Sequence, residues 1–154
     1  MAELTDKQAR DYREGKVELR TLLGMTPEYV QLLRGRAQFY LDGKHHERAL
    51  IMLEMLEELD RTDTLPTLLA ISTLLELGRS DAAEEKVTAL LTRTPNDPDA
   101  LVAKAELQIA VGELAPAAAT LAKVVEADPQ AKTSAGKRAR VVAQRAHERV
   151  EGAR

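Results

Sequence analysis

The sequence predicts an all-α protein assembled from helical hairpins, and three observations predict it. The first is a period of 34 residues: Gly78, Ala83, Val87, Leu90 and Pro95 recur in order as Gly112, Ala117, Leu121, Val124 and Pro129. One step earlier the period finds Ala49, Leu53 and Leu56, with Asp60 standing where Asp128 stands and Arg61 where a proline would be. The second is the lack of any sustained alternation of period two, the mark of a strand with one buried face. The third is the scarcity of aromatic residues, 3% of 154, which leaves strands without their preferred side chains. A unit of this length holds two helices of about 12 to 14 residues and two short turns, so each repeat is a hairpin that its neighbour must cover.

Taken in order, the elements follow from local chemistry. Residues 5–23 read as an N-terminal helix; the segment around it offers Leu4, Tyr12, Leu19, Leu22 and Leu23, but Gly15 interrupts the helix and weakens it by about 1 kcal/mol. Thr26-Pro27 and Asp97-Pro98 each set an N-capping oxygen before a proline at the first helical position, where the missing N–H is no loss. Helix pairs are expected at 27–42 and 46–60, 65–77 and 81–93, and 98–111 and 115–127, with a last helix over 134–149, eight helices in all. Gly43, Gly78 and Gly112 are each expected to close a first helix in the left-handed conformation that a side chain resists, and Ser80 to cap the helix after it. The chain divides into an N-terminal helical segment (1–26), three repeats (27–132; about 30–63, 64–97 and 98–131) and a C-terminal capping helix (133–154). That last helix carries Ala139, Val142, Ala146 and Val150 on one side, suited to covering the third hairpin.

Composition narrows the function. The chain has no cysteine, which removes disulfides, thiolate metal sites and cysteine nucleophiles, and it fits a reducing, cytoplasmic setting. The polar start lacks the basic and apolar stretches of a secretory signal, and no apolar run approaches the ~20 residues of a membrane span. Net charge is −3, distributed as −7 over residues 27–132 and +4 over 133–154. The basic tail interleaves with Val141, Val142, Ala146 and Val150 without an aromatic residue to stack on bases, so it reads as a solvated helix face and not a nucleic-acid site. His45 and His46 diverge on a helix and His147 is distant in sequence, a poor ligand set, and no metal or other cofactor is implied. No phosphate-binding loop and no nucleophile, base and acid arrangement is present, and the carboxylates of the segment EMLEELD read as a solvated helix face. The chain reads as a non-enzyme.

The 34-residue lattice of small residues resembles the tetratricopeptide repeat (TPR), over residues 29–129. Its eighth positions here are Ala37, Ile71 and Ala105, and its twentieth are Ala49, Ala83 and Ala117; Ile71 and the early Gly43 depart from the pattern. The resemblance implies a TPR-like right-handed solenoid of three repeats with flanking helices, and a hollow lined by the first helix of each repeat. Carried onto this sequence, the inward positions are Gln31, Arg34, Gln38, Leu41 and Asp42; Leu65, Leu68, Ser72, Leu75 and Glu76; and Asp99, Val102, Glu106, Ile109 and Ala110. Leu68, Leu75, Val102 and Ile109 would form the apolar middle of a peptide-binding groove with polar edges. The alternative is that they pack between helices, as apolar residues at helical spacing usually do. The Lys and Asn clamp by which some co-chaperones of this family hold a C-terminal carboxylate is missing from these positions.

The order of leading helix, three repeats and closing helix, with the segment FYLDGKHHERALIMLEMLEELDRTD in the first repeat, also resembles the class II chaperones of type III secretion (SycD/LcrH type). What that implies is a chaperone or adaptor that holds an extended or amphipathic segment of a partner protein, a hydrophobic translocator among them. A second reading is a scaffold subunit that assembles a larger complex. A homodimer through the N-terminal segment is a further expectation.

Overall fold

The computed structural model describes residues 5–152, and Leu4 and the last two residues of the expected cap lie outside them. Nine helices and no strand occur among the described residues: α1 (Asp6–Arg13), α2 (Leu19–Leu22), α3 (Pro27–Asp42), α4 (His46–Leu59), α5 (Leu65–Glu76), α6 (Ser80–Arg93), α7 (Pro98–Ala110), α8 (Leu114–Ala127) and α9 (Ser134–Gly152). The all-helical class is as the periodicity predicts. The extra helix comes from Gly15. At φ +70° it turns the chain after α1, its N–H donating to the Tyr12 carbonyl and the Lys16 N–H to that of Asp11, so the expected N-terminal helix is two pieces. The fold divides into two compact units, Met1–Ala70 and Ile71–Arg154, with the division inside α5.

In the first unit α1 opens on a capping box, the Thr5 hydroxyl accepting from the Gln8 N–H and the Gln8 side chain accepting from the Thr5 N–H. The α3–α4 hairpin is its core: Val30 and Ala37 face Ala49, Leu50, Leu53, Leu56 and Leu59, all buried. Thr26 and Pro27 start α3 as expected, the Thr26 hydroxyl accepting from the Tyr29 N–H. The end of α3 is different. Gly43 sits at φ −80° and Lys44 takes the left-handed turn at φ +53°, because the closing bonds run from the Lys44 N–H to Leu41 and from the His45 N–H to Tyr40. The position 34 before Gly78 is 44, so the period locates the turn and the glycine misses it by one residue.

Asp60 also corrects the reading of its segment as solvated. It is buried after α4, where its carboxylate accepts from the Thr62 hydroxyl, the Thr62 N–H and the Asp63 N–H. Burial works against its charge, but those hydrogen bonds and Arg20 nearby outweigh it and hold its pKa below the ordinary carboxyl value.

In the second unit Gly78 (φ +71°) and Gly112 (φ +86°) do take the left-handed turn. Each is followed by a second helix that starts one residue earlier than expected, so Ser80 lies inside α6 and Arg79, with no side-chain cap, precedes it. The helices pack in sequence, α6 on α7 and α7 on α8, and α9 lies across both α7 and α8. Their shared core is Val102, Ala105, Ala117, Leu121, Val124, Ala135, Ala139 and Val142. Ala105 and Ala139 are 34 residues apart and both fully buried, so α9 continues the repeat pattern as a first helix without a second. Ala146 is half-buried and Val150 exposed, so the apolar stripe of α9 fades along its length.

Candidate functional site

The first helices supply the expected inward positions, and the structure sorts them by burial. In the first unit Gln31 and Leu65 are exposed and Leu41 is half-buried. Gln38 donates to the Asp42 carboxylate at 2.7 Å, one turn along α3. The Arg34 guanidinium is held by the Asp63 carboxylate at 2.5 Å, tying α3 to the chain that enters α5. Leu68 is a correction. At 8% exposure it is a core residue and no anchor for a partner.

The second unit presents Ser72, Leu75, Asp99, Glu106 and Ile109 half-buried, with Glu76 and Ala110 exposed. Val102 is the other correction, fully buried with Ala135 and Ala139 of α9 in the same core. The fifth position of the second and third repeats, Leu68 and Val102, is therefore apolar because it packs inside, whereas the first repeat has Arg34 there. Leu75 and Ile109, at the twelfth position, keep partial exposure, and Ile109 rests its inner side on the α7–α8–α9 core.

A residue absent from the expected set organises this face. Arg138 of α9 donates from Nε to one Glu106 carboxylate oxygen at 3.0 Å and from Nη2 to the other at 2.5 Å, and Nη2 also reaches Ser72 Oγ at 3.0 Å. The two-pronged pairing fixes both groups in one geometry, stronger than a single contact. Ser72 and Glu106 are both ninth positions of their repeats, so one arginine spans two of the expected polar contacts. The period gave no signal for it: Arg138 stands 34 residues after Lys104, which is not one of the inward positions. Asp99 completes the polar side; its burial and the neighbouring Asp97 raise its pKa, and the Arg138 charge acts in opposition.

A separate open cleft of about 640 Å³ lies between α6 and α7, with Val87, Leu91, Leu107 and Val111 as its apolar wall and Glu84 and Lys104 among its charged lining. None of the expected inward residues lines it. Among the described residues, no cluster of His, Asp or Glu is placed to hold a metal ion, and no helix is long and apolar enough to cross a membrane.

Comparison with known proteins agrees with the helical-hairpin fold. Residues 74–141 match the tetratricopeptide repeat family. Among solved structures, the chain is similar to one in a type III secretion system (T3SS) complex from Aeromonas hydrophila, with a TM-score of 0.72 at 15% identity, over 95% of this chain and 99% of that one. It is also similar to the first TPR of Spaghetti (RPAP3) bound to the HSP90 peptide SRMEEVD, with a TM-score of 0.60 at 15% identity, over 77% and 94% of the two chains. No curated protein sequence matches.

Proposed function

We propose, from the premise that residues 74–141 are tetratricopeptide repeat, that this chain is a non-enzymatic protein-binding module. Its role is that of a cytoplasmic chaperone or adaptor, holding an extended or amphipathic segment of a partner against the inward face of its first helices. The observation that carries this reading is the division of that face in the second unit. Leu75 and Ile109 keep apolar surface open to solvent, while Ser72, Glu106 and Arg138 are locked together beside them. Open apolar anchors beside a rigid polar border are what a peptide site needs, because a preorganised border adds direction without an ordering cost. The likeness of fold to a chain of a T3SS complex supports the narrower reading, a chaperone of a hydrophobic type III secretion translocator.

The test is co-expression with the hydrophobic translocator of a secretion system from the same genome. A soluble complex with the intact chain, lost with Leu75→Glu or Ile109→Glu proteins of unchanged helicity, is the expected result. A translocator that remains insoluble with the intact chain, or a complex indifferent to both substitutions, overturns the reading.

A further inference from the structure

The turn between α3 and α4 gathers positive charge that the fold leaves unanswered. The Arg36 and Arg48 guanidinium carbons lie 5.7 Å and 5.9 Å from the centre of the half-buried Tyr40 ring, and the His45 ring meets it edge-on at 6.3 Å. Lys44 stands in the turn itself. Arg36, Lys44 and Arg48 are all exposed, and among the described residues no carboxylate pairs with any of them. Arg36 donates only to the Tyr40 hydroxyl. By contrast Arg20, Arg34 and Arg61 of the same unit each hold a carboxylate within 3.4 Å.

Two details of the backbone are arranged around this cluster. Lys44 takes φ +53° where Gly78 and Gly112 turn the chain in the later repeats, so a cation stands where glycine would be less strained. Gly43, at φ −80°, needs no left-handed freedom; a Cβ on it would lie 3.0 Å from the His45 ring, so the glycine leaves room for that ring beside Tyr40. The repeat does not call for these side chains. Arg48 is matched by Ala82 and Pro116, and only Arg36 has a charged counterpart, Lys104. Backbone strain kept beneath an exposed charge points to a use for the charge.

We infer that this turn is a second binding site and that its ligand is a short acidic segment of a partner protein. None of Arg36, Tyr40, Lys44 and Arg48 is an inward position, so the site stands apart from the face that carries Leu75 and Ile109. The Tyr40 ring restrains both guanidinium groups, whose N–H donors suit carboxylates, and Lys44 adds a third charge. The three cations are spread over α3, the turn and α4, so successive carboxylates of an extended chain match them better than one compact anion. The surrounding charge limits the ligand's length. Asp42 and Glu47 flank Lys44 in sequence, and residues 27–132 carry 18 acids against 11 bases, so nucleic acid or an anionic membrane would be repelled beyond the turn. Exposed charges attract through water, so the binding is modest and weakens with salt.

Nuclear magnetic resonance titration of the full chain with a capped tetraglutamate peptide at low salt tests this. The expected result is saturable shifts of the amides of residues 43–48, absent with tetraglutamine. Binding should weaken about tenfold or more in the Arg36→Gln, Arg48→Gln protein and stay unchanged in Arg145→Gln, Arg149→Gln, which removes the same charge from α9. Lys44→Gly should weaken binding about threefold or more while raising the melting temperature, because the site and the backbone favour different residues there. Leu75→Glu should bind the peptide as the unaltered chain does, which keeps this site's failure distinct from that of the inward face. A titration without saturable shifts at 43–48 overturns the site. Equal weakening by both arginine pairs reduces it to attraction by net charge, and inorganic phosphate that binds as tightly as the peptide overturns the acidic segment as its ligand.

Discussion

The carboxylate of Asp128 fills the space that a side chain on Gly136 would need. A Cβ at Gly136 would overlap that carboxylate, 2.9 Å from its Cγ, and lie 3.2 Å from the Ala131 Cα, so both the acid and the backbone of the turn stand in its way. Glycine to alanine inside a helix ordinarily stabilises by up to about 1 kcal/mol. Here the sign reverses, and Gly136→Ala should cost roughly 1–3 kcal/mol by overpacking. Gly35→Ala, with open space around it, should stabilise the chain by the ordinary amount. Urea midpoints of the two variants that move in the same direction would refute the close approach.

Asp128 also sets a dependence on acid. The Thr133 hydroxyl donates to its carboxylate, as do the Thr133 and Lys132 N–H groups, and together they lower its pKa from 3.8 to about 2. The folded carboxyl is harder to protonate than the unfolded one, so its contribution to stability is complete above pH 3.8 and is lost as pH falls through 2. Asp128→Asn should destabilise the chain at neutral pH and remove this share of the acid sensitivity. Denaturation midpoints of the two proteins that converge between neutral pH and pH 2 are the expected outcome.

Lys44 pays a backbone cost that its repeat counterparts avoid. A side chain at φ +53° strains the turn that Gly78 and Gly112 make freely. Lys44→Gly should stabilise by about 0.5–1 kcal/mol, the relief of strain being partly offset by a more flexible unfolded chain. A lower melting temperature would place the left-handed residue elsewhere.

That turn shows how the sequence is readable. The period located six hairpin helices to within one or two residues at their ends, because spacing of small and apolar residues is a property of the chain alone. It read Gly43 as the turn because glycine is the residue that tolerates φ above zero, whereas the closing hydrogen bonds fix position 44 whatever stands there. The candidate site was less legible. Val102 and Ile109 are both apolar first-helix residues, and only the seat of α9 over α7 separates the buried one from the half-open one. Arg138 reaches Ser72 across 66 residues, a contact that no local pattern contains.

Removing residues 133–154 tests α9 as the cover of the second unit. Val102, Ala105, Leu121 and Val124 would lose the apolar side of α9. At about 25 cal/mol per Å² of apolar surface returned to water, the loss is several kcal/mol. A truncated chain with an unchanged melting temperature would contradict the shared core.

Leu75 and Val102 separate a binding face from a packing face by experiment. Val102 is fully buried, so Val102→Glu places a charge among Ala105, Ala135 and Ala139 with no partner for it, and the second unit should unfold. Leu75 is half-exposed, so the Leu75→Glu carboxylate can reach water and should cost about 1 kcal/mol or less. A bound peptide senses the reverse order of importance. Filling a desolvated contact with a charge should weaken binding by about 2 kcal/mol, near thirtyfold, while the free protein melts almost as before. Glu84→Leu on the exposed side of α6 is the control and should alter neither stability nor this binding by much. Thermal unfolding and peptide titration of the three variants decide the assignment: a Leu75→Glu chain that unfolds with Val102→Glu, or one that stays folded and binds as tightly as the unaltered protein, removes Leu75 from the site.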